Sequence, residues 1–155
     1  MVGLIQRLNR LVVGLLAPGL GDIIAALWNQ RHSGGGITVN ADPTKFDIAA
    51  GKYSVDGIDV DGGAGAANAL DATVDTAAGQ FRKVAILVSQ AGVYSILAGA
   101  VAASQGKALL PATPAGKCLI GWLEIPASFT HGATNVTGGM IQAAHSKASL
   151  IGQLT

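Results

Sequence analysis

The chain has 155 residues, half of them hydrophobic, with 12% charged, 5% aromatic, 22 glycines and a formal net charge of +1. That length fits one domain with an appended arm, and so low a charge leaves neither a basic field for nucleic acid nor an acidic tail. A single cysteine excludes an internal disulfide and a cysteine-based zinc site. The apolar fraction is mostly Ala, Val, Ile and Leu, which suits small, closely stacked β-layers whose surface is covered by copies of the chain or by other proteins.

Residues 1–32 read as an amphipathic helical arm. Leu4, Leu8, Leu11 and Leu15 recur at spacings of four, three and four, drawing an apolar stripe down one face. Pro18, set among Gly14, Gly19 and Gly21, breaks the helix. A second segment carries Ile23, Ile24, Leu27 and Trp28, with Asp22 near its start and Arg31 near its end, both favourable to the helix dipole. These eight apolar residues are the expected assembly interface. Three readings compete for the arm. A secretory signal accounts for Arg7, Arg10 and the apolar residues 11–20, but it lacks a clean small-residue cleavage site. A membrane span over residues 11–28 has the length but contains Pro18, Asp22 and the glycines. An arm that packs on other subunits fits best, since a lone helical hairpin this apolar needs cover. Residues 33–36, Ser-Gly-Gly-Gly, read as a flexible joint.

From residue 37 the period changes to two, and residues 37–147 form the expected body, followed by a tail at 148–155. Ile37-Thr-Val-Asn and Lys45-Phe-Asp-Ile-Ala are short strands divided by the turn signal Asp42-Pro43. Lys52-Tyr-Ser-Val and Ile58-Asp-Val flank Asp56-Gly57, the dipeptide favoured in a two-residue type I′ hairpin. Tyr53 and Val55 fall on one face, Lys52 and Ser54 on the other. Asp61-Gly-Gly-Ala-Gly-Ala-Ala reads as a loop, and Leu70-Asp-Ala-Thr-Val-Asp as another alternating strand.

Gln80-Phe-Arg-Lys-Val-Ala-Ile-Leu-Val-Ser is the strongest strand signal; its second half is apolar on both faces and belongs at the centre of a sheet. Gly92 reverses the chain into Val93-Tyr-Ser-Ile-Leu. Residues 98–105 are Ala-rich and suggest a short helix. Pro111 and Pro114 then hold an extended lead into the apolar run 118–125, one buried strand in which Cys118 is a small hydrophobe. Residues 129–136 read as a polar loop or edge, and 143–154 as a short helix or strap. The expectation is a mainly β protein, an antiparallel β-sandwich of about seven or eight short strands with a helical arm broken near Pro18.

No reaction chemistry emerges from these residues. Asp56, Asp59 and Asp61 with Gly62 could offer oxygen ligands to calcium, but no glutamate follows at the EF-hand distance, and hairpin turns favour Asp for local hydrogen bonding. His32, His131 and His145 lie far apart and lack Cys or carboxylate at ligand spacing. Ser54, Ser89, Ser95 and Ser104 have no G-x-S-x-G context. Gly62-Gly-Ala-Gly is not framed as a dinucleotide fingerprint. No cofactor, metal or catalytic residue is expected. A carbohydrate-binding module could share the sandwich, although the aromatic residues sit mostly in strand patterns.

Two stretches carry a likeness: Phe81-Arg-Lys-Val-Ala-Ile-Leu-Val-Ser-Gln-Ala-Gly-Val-Tyr, and Leu110-Pro-Ala-Thr-Pro-Ala-Gly-Lys-Cys-Leu-Ile-Gly-Trp-Leu-Glu-Ile. Their order resembles that of small structural proteins of tailed bacteriophage particles. The resemblance implies a non-enzymatic, β-rich and commonly trimeric virion component, made in the host cytoplasm and resident on the capsid surface. A head decoration or cement protein, bound to itself and to the major capsid protein, is the first reading. A tail or head fibre or adaptor protein is the second. A membrane-anchored accessory protein spanning with residues 11–28 is the third.

Overall fold

The computed structural model describes residues 29–144. They form ten strands: β1 (Gln30–Gly34), β2 (Ile37–Val39), β3 (Lys45–Ile48), β4 (Gly51–Val55), β5 (Ile58–Gly62), β6 (Gly65–Ala69), β7 (Arg82–Ser89), β8 (Tyr94–Ala98), β9 (Lys117–Ile125) and β10 (Ile141–Ala143). All pairings are antiparallel, in three sheets ordered β1-β4-β5, β2-β3-β6 and β10-β9-β7-β8. The protein is mainly β and sandwich-like. The two three-stranded sheets share one apolar core with the four-stranded sheet, and β1 and β4 pack against β9 while β2 lies beside β10.

Alternation dictates which side chains fill that core. Phe46 and Ile48 from β3, Tyr53 and Val55 from β4, Val84, Ile86 and Val88 from β7, and Ile120, Leu123 and Ile125 from β9 are all within 2% of full burial. The β7 run is buried from Val84 to Val88 and lies between β9 and β8, the central place its doubly apolar sequence requires. Cys118 is fully buried among these residues, and burial pushes its thiol up to about 11, the behaviour of a small hydrophobe.

Several local expectations are overturned. Residues 30–34 are not the end of a helix followed by a loose joint; they form β1, bonded along β4 with a bulge between Arg31 and Ser33. The glycines after β1 are fixed as well. Gly35 N–H donates to Ala50 O at 3.1 Å and Ala49 N–H to Gly36 O at 2.8 Å. The body therefore begins before residue 37. The stretch read as a loop after Asp61 contains β6, and the strand expected after Leu70 is a 3-10 turn at Ala72–Val74, because Asp71 accepts from Thr73 N–H at 2.9 Å and starts a turn instead. In place of an Ala-rich helix, residue 98 ends β8, Ala102 bridges to Phe81, and only Gln105–Lys107 makes a 3-10 turn. Residues 141–143 add β10 to the edge of β9. Residues 1–28 of the expected helical arm and the tail at 148–155 lie outside the described residues.

Two tyrosines join the layers. Tyr53 of β4 and Tyr94 of β8 meet edge to face, with centroids 6.4 Å apart and planes at 84°, and their hydroxyls lie 3.3 Å apart. Tyr94 Oη donates onward to Gly63 O at 2.9 Å. Burial, then the Tyr94 hydroxyl, raises the Tyr53 phenol, which keeps it neutral. The rings fit because their neighbours are glycines. A Cβ on Gly35 or Gly51 would stand 2.3 or 2.4 Å from Tyr53 Oη, and one on Gly62 would stand 2.6 Å from Tyr94 Oη and 2.7 Å from a Tyr53 ring carbon.

Gly62→Ala is expected to destabilise the fold by about 1–3 kcal/mol through overpacking against the fully buried Tyr53 ring and the Tyr94 hydroxyl. Gly63→Ala, where the added carbon meets nothing within 4 Å, should change stability by less than about 0.5 kcal/mol. Urea unfolding of the two variants checks this; equal midpoints would contradict it. A second prediction concerns the β2–β3 turn, where the Asp42 carboxylate accepts from Lys45 Nζ at 2.8 Å, Thr44 Oγ1 at 2.8 Å and Thr44 N–H at 3.1 Å. Lys45 first, then Thr44, pulls its pKa from 3.8 down to about 2. A depressed carboxyl stabilises above its unfolded value and loses that contribution as pH falls through its folded value. The stability gap between wild type and Asp42→Asn should therefore be full at about pH 6 and close as pH approaches about 2. Denaturation at stepped pH reads it, and a gap unchanged at the acid end would refute the assignment.

Candidate functional site

The expected interface residues Leu4, Leu8, Leu11, Leu15, Ile23, Ile24, Leu27 and Trp28 lie outside the described residues, as does the proposed span 11–28. Among the described residues no helix is long and apolar enough to cross a membrane. What the structure does describe is the N-terminal start of the body, from Asn29 onward.

That place is a polar knot at the β4–β5 hairpin. Register Val55↔Ile58 leaves the two-residue loop Asp56-Gly57, with φ of 51° and 75°, the left-handed pair that a type I′ turn needs. Asp56 tolerates this backbone because its short polar side chain bonds locally. Asn29, the first described residue, accepts from Asp56 N–H through Oδ1 at 2.6 Å. The Asp56 carboxylate in turn accepts from Gly116 N–H at 3.1 Å and from Gln90 Nε2 at 3.4 Å. Four distant segments thus meet at one turn: the residue before β1, the β4–β5 hairpin, the β7–β8 reversal and the end of the proline-rich lead. Nothing in the sequence around Asn29 signalled this role, although Asp56-Gly57 marked the turn itself.

The aspartates considered for calcium do not converge. Asp56 is committed to the knot, while Asp59 and Asp61 point to solvent from β5 with side chains 95% and 80% exposed. Asp61 accepts from Lys52 Nζ at 2.8 Å, and this partner raises the lysine's pKa. Asp59 stands 3.9 Å from His32 Nε2. These groups and Val60 line a shallow cleft beside Tyr53. Among the described residues no group of three His, Cys, Asp or Glu side chains is placed to hold a metal ion.

His131 is held by Asp75, whose carboxylate accepts from the His131 backbone N–H at 2.7 Å and approaches Nδ1 at 2.9 and 3.0 Å. The backbone bond is the first cause of the lowered Asp75 pKa, ahead of the imidazole. The pair fastens the loop after Phe129 to the turn at 72–74, and the buried Thr76 hydroxyl reinforces it by donating to Pro126 O at 2.6 Å and accepting from Phe129 N–H at 3.0 Å. Of the serines, Ser95 accepts from Lys117 Nζ at 2.9 Å on the outer face of the four-stranded sheet.

The exposed apolar side chains are the remaining feature. Val93, Val101 and Leu109 are 60%, 43% and 76% exposed and lie around β8; the fourth, Val39, is at 36% on β2. Compared with known proteins, the chain matches no family model, no curated protein and no solved structure.

Asp56→Ala removes the acceptor for Gly116 and Gln90 and places alanine at positive φ. It should cost about 2–3 kcal/mol, from one lost hydrogen-bond acceptor and one strained backbone position. Asp56→Asn keeps an acceptor oxygen and a residue that accepts the left-handed region, and should cost under half as much. Thermal unfolding of both variants tests this, and equal losses would show that the carboxylate is not what joins the segments.

Proposed function

We propose that the protein is a non-enzymatic structural component of a tailed bacteriophage particle, a capsid decoration or cement protein that attaches through its N-terminal arm and displays the β body. The observation that carries the reading is the hydrogen-bonded start of the body at Asn29 and β1, next to the expected arm. A flexible tether would let the body swing. Here the chain passes from residue 28 straight into the Asn29–Asp56 bond and then β1, which is hydrogen-bonded along β4.

Force applied along the arm would load the β1–β4 bonds side by side, so that they must fail together. Such coupling suits a part that is assembled once and must stay. The low charge and the phage-like order of β7, β8, the proline lead and β9 support the same reading. Each 100 Å² of apolar arm surface covered by a neighbour would contribute roughly 2.5 kcal/mol before ordering costs. Many copies on a shell multiply that gain.

Leu8→Asp and Leu15→Asp should each abolish joining to particles and remove a trimeric species in sedimentation. The β-type circular dichroism and the unfolding midpoint of the body should be retained. Normal incorporation of both variants would sink the proposal.

A further inference from the structure

The edge strand β8 is the feature that the arm-based reading leaves unused. It pairs with β7 on one side, and among the described residues no strand lies on its other side. The bonds Gly99 N–H to Lys83 O and Ser89 N–H to Val93 O fix which backbone groups face which way. In an antiparallel ladder such pairs recur every second residue. Val93, Ser95, Leu97 and Gly99 therefore face β7, and Tyr94, Ile96 and Ala98 direct their N–H and C=O groups outward.

Natural edges are blunted by charge, proline, bulges or a covering loop. β8 has none of the first three. Residues 91–106 contain no charged side chain and no proline, and the β7–β8 register is regular. One charge reaches the strand, Lys117, and its amine is held on the outer face by Ser95.

We propose that β8 is the contact surface for a second copy of this chain, paired antiparallel across a two-fold axis at Ile96, so that two four-stranded sheets run on as one of eight. This contact is separate from the arm and does not rest on the virion reading. The distribution of exposed apolar residues selects a second copy over an unrelated strand. Val93 precedes β8 at one end. Val101 follows it at the other, where Leu109 also lies, its carbonyl 2.6 Å from where a Gly99 Cβ would stand.

Centring on Ile96 puts Val93 of one copy opposite Gly99 of the other, beside that copy's Val101 and Leu109, and the two-fold repeats the contact. The outward groups of Tyr94, Ile96 and Ala98 then meet those of Ala98, Ile96 and Tyr94. An isologous patch must be self-complementary in this way. Across the new junction Ser95 faces the partner's Leu97 as a non-hydrogen-bonded pair, with Cα atoms about 4.5 Å apart.

That spacing lies within disulfide range, and the only native cysteine, Cys118, is buried. In the full chain, the double variant Ser95→Cys/Leu97→Cys should oxidise to a covalent dimer on a non-reducing gel. Its yield should be at least about tenfold above that of either single variant, each of which lacks the opposing thiol. Adding Leu109→Lys or Val93→Lys, both at exposed positions, should cut the yield several-fold without unfolding the body. Adding Leu8→Asp should leave the link intact, which separates failure here from failure of the arm. Double-variant yields no higher than those of the single variants, or links indifferent to the lysines, would overturn the proposal.

Discussion

The fold depends on a steric bargain between two tyrosines and the glycines around them. Tyr53 and Tyr94 come from opposite layers and meet edge to face, and the backbone must approach their rings more closely than any Cβ allows at residues 35, 51 and 62. In a protein with few aromatic residues, these two rings fill the volume where β4, β5 and β8 converge. The hydroxyl-to-hydroxyl contact and the bond to Gly63 O give the polar ends partners, so burial of the phenols leaves no oxygen stranded. The glycine content thus has a packing reason here, beyond turn formation.

The second constraint is the knot at Asp56. A hairpin turn is usually a free tip, but this one accepts bonds from two other loops and donates one to the residue that leads in from the arm. Its effect is to tie Asn29 and the start of β1 into the sheet.

Much of the body was legible because its signals were local and strong. Asp56-Gly57 between alternating runs fixed one hairpin, the apolar run of β7 fixed the central strand, and the proline-bounded run fixed β9. The errors have distinct causes. β1 is Gln-Arg-His-Ser-Gly and β6 is Gly-Ala-Ala-Asn-Ala; neither alternates in hydrophobicity, and each forms because a neighbouring strand offers it bonds. Leu70 to Val74 alternates like a strand, yet Asp71 captures the Thr73 amide and turns the chain. The Asn29–Asp56 contact joins residues 27 positions apart and had no signature at Asn29. Pattern reading sees periodicity along the chain, whereas the Asn29–Asp56 bond is a long-range polar contact.

The arm expected from the sequence and the proposed β8 contact use different residues, and a subunit carrying both would have a structural consequence. Arm contacts of three-fold symmetry would close on themselves and stop at a trimer. An isologous edge contact also closes, at two copies. When one subunit carries both, each closed group is linked to the next by the other operator, and growth continues across a surface without any open-ended interface. A lightly charged, small-residue surface suits such an arrangement, since repulsion between like-charged neighbours would otherwise build up with every copy added. If both contacts form, the scarcity of charge and a β8 edge free of charge, proline and bulge would serve one physical end: both would keep down the cost of placing identical surfaces side by side.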